Sequence, residues 1–235
     1  KRGLLIARGL FGTLGIAFFF YTLHHMPLAS AVTVHYLTPI FTVLLAFIIG
    51  SDRLEPIQWL FFLLCFAGIY LIKGFDARVD SLSLLIGVAG TIGAAAAYNI
   101  IGVIRESEHY LVIMFYFPLV TLPLVIVYML LTGDFVWASA MDWLYLSLIG
   151  FLTYGAQYFL TRSYQSGQMN KVSIISYLGV VYALVFGYFL FDEWYNLPSL
   201  GGVALVIGGV ILNLIYGRRK STSSKPPPDQ VARQT

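Results

Sequence analysis

Eight long apolar runs stand out along the sequence: Arg8–His24, Ala29–Gly50, Pro56–Ile72, Ser83–Ile104, Tyr110–Leu131, Trp143–Thr161, Val172–Phe191 and Pro198–Tyr216. Short polar turns separate them, among them Ser51-Asp52-Arg53-Leu54-Glu55, Arg105-Glu106-Ser107-Glu108-His109 and Asp192-Glu193. A bilayer core about 30 Å thick is crossed by about 20 mostly apolar residues in a helix. Each run therefore predicts one transmembrane helix, with its ends set by the flanking charges. The alternating segments of about ten residues that transmembrane strands require are absent. The predicted fold class is all-α, a polytopic membrane protein with eight visible spans.

Composition sharpens this picture. Of 235 residues, 59% are hydrophobic and 11% charged, against about 25% charged in soluble domains. That leaves too little polar surface to coat a water-soluble core. One cysteine, Cys65, excludes an intramolecular disulfide framework and a cysteine-ligated cluster. Beyond Tyr216 the chain turns basic and then rich in Ser, Thr and Pro. Residues 218–235 are expected to be a disordered cytoplasmic tail. The net charge of +3 reflects topology: twelve of the fourteen Lys and Arg fall on one side of the predicted spans, and only Lys73 and Arg78 on the other. The basic side is expected to be cytoplasmic, with both visible termini there, in a cell membrane. Charges spread along alternate turns do not form a nucleic-acid patch.

Sliding the sequence by 141 residues matches the spans without a gap. Gly9 falls on Gly150, Tyr36 on Tyr177, Gly68 on Gly209 and Asp52 on Glu193. The shift advances the chain by five spans, an odd number, so the two copies are expected in opposite orientations. Inverted repeats of this kind occur in secondary transporters, with the substrate site where the copies meet. Residues 82–217 read as a complete five-helix copy and 1–74 as the last three helices of another. The chain, which has no initiator Met, is thus expected to lack the first two helices of a ten-helix protein.

Several stretches resemble one family. Arg8-Gly9-Leu10-Phe11-Gly12, Pro27-Leu28-Ala29-Ser30-Ala31, Tyr36-Leu37-Thr38-Pro39-Ile40-Phe41, the Asp52-Arg53-Leu54 turn and Gly68 are similar to one EamA-type repeat. Asp192-Glu193 before Pro198, with Gly208-Gly209, resembles the end of a second. These repeats belong to the drug/metabolite transporter superfamily. The resemblance implies two inverted five-helix repeats and alternating-access transport of a small organic metabolite. It does not imply one substrate, since similar members move amino acids, nucleosides, cofactors or toxic compounds.

Polar residues inside the spans are the candidate substrate contacts, because they are costly there and tend to face the bundle interior. His35, Tyr36 and Thr38 lie beside Pro39, which removes an N–H and is expected to kink the helix and free the His35 carbonyl. Ser173, Ser176 and Tyr177 occupy the matching stretch, where Gly179 is the candidate hinge opposite Pro39. Tyr154 and Gln157 share a helix with Thr153 and Thr161, and Tyr98-Asn99 end another. The alternative for each is a bond within or between helices. Arg8 and Arg162 are expected to snorkel at cytoplasmic helix ends.

No carboxylate falls inside a predicted span. His35, whose unperturbed pKa is about 6.5, is then the candidate proton-coupling group, unless the carboxylate lies outside this sequence or transport is facilitative. The shortage of intramembrane charge favours a neutral, zwitterionic or aromatic solute. No cofactor or metal site is predicted. The expected partners are a small-molecule substrate, lipid, protons as candidate coupling ion and a second copy in a homodimer. The rival classes are a membrane-embedded enzyme, for which no Ser–His arrangement suggests itself, and a pore, for which polar rings are missing.

Overall fold

A computed structural model describes residues 1–49, 55–133, 137–166 and 178–223. The Asp52-Arg53 turn, Ser173, Ser176, Tyr177 and the tail from 224 lie outside the described residues. Among those described, nine α-helices and no strands occur. They are α1 (Arg2–His25), α2 (Leu28–His35), α3 (Thr38–Ile48), α4 (Pro56–Phe75), α5 (Ser81–Ile104), α6 (Tyr110–Thr132), α7 (Ala140–Ser166), α8 (Leu178–Phe191) and α9 (Leu197–Ser223). Six apolar stretches are long enough to cross a membrane: α1, α2 with α3, the first part of α4, α5, α6 and the first part of α9. The chain is an all-helical, multi-pass membrane protein. Its outward faces carry side chains such as Phe151 and Leu131, which suit lipid rather than water.

Two boundaries differ most from the sequence expectation. Helix α1 begins at Arg2, not Arg8, because a charge one or two turns inside a helix does not end it. Helix α9 runs on through Arg218-Arg219-Lys220 to Ser223, where a tail was expected.

The span interrupted at Pro39 is two helices. Tyr36 N donates to Val32 O and Leu37 N to Val34 O, both at 3.0 Å, closing a tight turn before α3 starts with Pro39 in its first turn. Proline leaves the His35 carbonyl without its helical donor. That carbonyl is not free, however: the Thr38 hydroxyl donates to it at 2.6 Å. One side chain thus repairs the ladder that the next residue breaks.

Glycines let two helix pairs approach closely. Between α1 and α5, a Cβ on Gly15 would lie 3.1 Å from Ala94 N, and one on Gly93 would lie 3.1 Å from Phe11 O. Between α4 and α9 the contacts run antiparallel: Gly68 against Gly202, Cys65 against Val206, Phe61 against Gly209 and Gln58 against Asn213. The Cys65 thiol donates to Val206 O at 3.4 Å across a separation of 141 residues, the interval that aligns the sequence with itself. The largest buried cluster lies along this seam and joins Phe62, Cys65, Ile69 and Ile72 to Val203, Val206 and Val210, with Val34, Leu37 and Ile40 from the broken span. Small residues at such crossings give the close packing that drives helix association in lipid.

At one end of the bundle the connections are tied together. Arg78 donates through Nε and Nη2 to the two carboxylate oxygens of Asp76, both at 2.9 Å, and through Nη2 to Trp194 O at 2.7 Å. The Asp76 carboxylate and the nearby Glu193 hold the Arg78 guanidinium above its ordinary pKa. Glu193 accepts from the Leu28 N–H at 2.8 and 3.0 Å, capping α2, and from the Tyr195 hydroxyl. Gly187 makes room for this arrangement, since a Cβ there would lie 2.6 Å from a Glu193 oxygen. Burial, then the Glu193 bond, pushes the Tyr195 phenol up.

Candidate functional site

Four helices bring polar or aromatic groups to one depth. Arg8 on α1, Tyr98 on α5, Phe117 on α6 and Gln157 on α7 each lie six to nine residues inside the same end of their helix. At about 1.5 Å per residue, that is about 9–14 Å from the helix ends. They border a cavity of about 250 Å³ that extends past Gly12 and Gly15 to Phe19 and His35. A second cavity of about 680 Å³ adjoins it, sharing Arg8, Ile16, Phe20, Phe117, Thr153 and Gln157, and opens toward Leu111, Leu146 and Tyr154. Together they reach from Arg8 to Phe20 along α1.

Arg8 is the charged centre of this space. It is 2% exposed, so it does not snorkel; the expectation from sequence is corrected by the start of α1 at Arg2. Its guanidinium carbon stands 4.5 Å from the centre of the Phe117 ring. One nitrogen, Nη2, donates to Gln157 Oε1 at 3.4 Å. Nε and Nη1 are buried and have no hydrogen-bond partner among the described residues. Neither cavity is bordered by an Asp or Glu among the described residues. The local sequence explains the pose. Gly12, one turn on from Arg8, admits the Phe117 ring, which a Cβ there would meet at 2.9 Å. By contrast Arg162, on α7, is exposed and lies over the Tyr110 ring at 5.1 Å, as a snorkelling arginine would.

Of the residues singled out from sequence, His35, Tyr98, Tyr154 and Gln157 border the cavities, as does Thr153. The half-buried His35 ring packs on Phe19 with centres 4.5 Å apart. Thr38, Tyr36 and Asn99 border neither. The Thr38 hydroxyl is spent on the His35 carbonyl. Asn99 Nδ2 donates to Thr42 O at 3.0 Å and to Ala95 O at 3.1 Å, bracing α5 against α3. Tyr36 reaches over Gly179, where any Cβ would collide with its ring and hydroxyl. Gly179 thus leaves room for the Tyr36 side chain. Pro39 sits at the start of α3. Pro118 and Pro123 lie within α6, which stays one helix.

Sequence reasoning missed Arg8 and Phe117 as site residues. The pattern Arg8-Gly9-Leu10-Phe11-Gly12 held the signal: a charge with a glycine one turn later on the same face marks room for a neighbour against it.

The EamA-like transporter family matches residues 1–74 and 81–215. Among similar proteins, the pseudopaline exporter of Pseudomonas aeruginosa is 28% identical over 217 residues, covering 89% of this chain and 74% of the exporter. An uncharacterized transporter of Helicobacter pylori is 30% identical over 220 residues, covering 89% of this chain and 73% of that protein. Solute carrier family 35 member G1 of Mus musculus is 26% identical over 223 residues, covering 88% and 60%. One crystal structure of another protein matches with a TM-score of 0.58 and 18% identity, over 92% of this chain and 87% of that one, a likeness of fold alone.

Proposed function

The chain belongs to the EamA-like transporter family, and we propose that it carries a small organic solute through the cavity between α1, α5, α6 and α7 by alternating access. It is a membrane transporter; membership of that family sets it apart from enzymes. The observation that supports the cavity as the solute's path is the gathering of Arg8, His35, Tyr98 and Gln157 around one space at depth in an apolar bundle. Intramembrane polar groups facing a cavity mark substrate and ion pathways. The proposed movement is a rocking of residues 1–74 against 82–217. The antiparallel α4–α9 seam, whose facing residues Cys65 and Val206 are 141 positions apart, supports that division. The polar ties of Arg78, Glu193 and Tyr195 lie at the end proposed as extracellular, because the basic helix ends gather at the other. The name of the Pseudomonas relative, an exporter, favours outward transport.

The test is counterflow of cellular metabolites in proteoliposomes holding the full-length protein. Thr153 borders both cavities, so Thr153→Trp is expected to abolish counterflow while leaving helicity and elution volume unchanged. Undiminished counterflow in that variant would remove the cavity from the path. A second reading concerns His35. With no carboxylate among the described residues bordering the cavity, this imidazole is the proposed proton relay. His35→Ala should then abolish uptake driven by a pH gradient yet leave exchange measurable. Unchanged pH dependence would leave a facilitative carrier.

A further inference from the structure

We infer that the cavity recognises a solute carboxylate, held by the Arg8 guanidinium with Gln157 as its positioning partner. The inference rests on the carrier reading above and names the substrate class of that same site. Three observations carry it. Arg8 is all but inaccessible at 2% exposure, yet Nε and Nη1 have no acceptor. Its one hydrogen bond among the described residues, to Gln157 Oε1, is long at 3.4 Å. No Asp or Glu among the described residues borders either cavity.

Buried donors without acceptors are costly, and a buried charge without a counter-charge more so. The Phe117 face attracts the guanidinium, but a ring quadrupole offers no lone pair for an N–H. A carboxylate supplies both missing elements. It brings one negative charge and two oxygens whose spacing matches the guanidinium fork. A neutral amide of the same shape would supply one acceptor, no charge, and an NH₂ group facing other donors. The site therefore discriminates by charge at this point. The rest of the larger cavity, bordered by Leu111, Phe115, Leu146 and Ile149, suits an apolar or aromatic remainder. This corrects the sequence-based expectation on one point: the membrane interior does hold a fixed charge, and it is positive. Of the neutral, zwitterionic and aromatic solutes expected, those bearing a carboxylate fit.

The experiment uses the purified full-length transporter and matched probes: L-phenylalanine with L-phenylalaninamide, and 3-phenylpropionate with 3-phenylpropanamide. Binding is read from the shift in melting temperature against ligand concentration, and transport from counterflow. The carboxylates are expected to bind at least tenfold more tightly than their amides. Arg8→Gln should erase that preference, and Arg8→Lys should keep part of it, as a point charge without the fork. Gln157→Glu places a carboxylate of nearly the same shape beside Arg8. It should raise the melting temperature of the unliganded protein and abolish the carboxylate preference by occupying the guanidinium. Equal binding of acids and amides, no binding of either acid, or a preference that survives Gln157→Glu would overturn the inference. The carrier reading fails separately. If amides or other neutral solutes show counterflow that Thr153→Trp blocks, the cavity carries solute but Arg8 does not select it.

Discussion

Where α4 meets α9, glycines face backbone and Gln58 is bonded to Asn213 at 2.9 Å. Where α1 meets α6 and α7, a buried arginine keeps two donors without acceptors. The two regions lie in one bundle and use the same helices-with-glycine construction, yet one is closed and the other open. At the seam, glycine brings carbonyl against helix, and even an added Cβ would meet backbone. At the cavity, Gly12 serves a different purpose: it admits the Phe117 ring against which Arg8 rests. On the proposed reading, the first region serves stability and the second solute recognition. Substitutions should therefore move melting temperature and transport in different combinations on either side.

The largest effect is expected at the seam. A Cβ at Gly202 would lie 2.6 Å from Gly68 O and 3.0 Å from Ile72 N, backbone atoms that cannot turn aside. Gly202→Val should cost about 3 kcal/mol or more and leave little monodisperse protein in size-exclusion chromatography. Gly208→Ala, which meets nothing within 4 Å, is its control and should be neutral or slightly stabilising. Comparable yields of the two variants would break the comparison.

Next comes the opposite sign. Arg8→Met removes a charge that the fold leaves uncompensated, so it should stabilise the protein by about 2–3 kcal/mol while abolishing transport. A lower melting temperature in Arg8→Met would mean that Arg8 holds the bundle together. Stability gained where function is lost is the pattern expected of a strained site.

A smaller loss is predicted for Gln58→Leu, which takes the donor from Asn213 Oδ1 when Asn213 Nδ2 is already without a partner. It should cost about 1–2 kcal/mol, and the double variant Gln58→Leu with Asn213→Leu should recover the part due to Asn213, but not the part due to the Glu55 N–H that Gln58 Oε1 accepts at 3.0 Å at the start of α4. Denaturation of the single and double variants checks the coupling.

The smallest effect is one of pH, at the tied end of the bundle. The native state holds the Tyr195 proton more tightly than the unfolded chain does, through burial and the Glu193 bond. Its contribution is complete below the ordinary value of 10.0 and is lost as pH rises above it. Melting temperature should fall above about pH 10, and the fall should be shallower in Tyr195→Phe. A curve that is the same in both proteins would release Tyr195 from this role.

Much of the fold was legible in the sequence, because hydropathy and the spacing of charges fix where a chain can cross lipid. Tyr110 and Ile104 bound their helices where the charges said they would. The misplacements share one cause. Ending a span at its first charge put Arg8 at the membrane edge, when α1 carries it a turn and a half deeper. The cavity was half legible. His35, Tyr98, Tyr154 and Gln157 were found by asking which intramembrane groups need partners. Thr38 stands beside His35 in sequence, but the turn at Tyr36-Leu37 splits the span there and commits the Thr38 hydroxyl to the His35 carbonyl. Phe117 carries no sequence signal of its own, since an aromatic in an apolar span is ordinary until Gly12 is seen opposite it.

The seam has a further consequence. Under the proposed division into two repeats, its form is that of an isologous contact, the kind two identical subunits make across a twofold axis, here within one chain. In a symmetric dimer every substitution is felt twice, so an axis position must tolerate itself. In a single chain that constraint lapses. Gly68 faces Gly202, while on the far side of the Cys65–Val206 contact Gly209 faces the backbone of Phe61, and Phe61 and Gly202 are 141 positions apart. One member of the pair is the smallest residue and the other is aromatic, a freedom that a dimer of identical halves would not have.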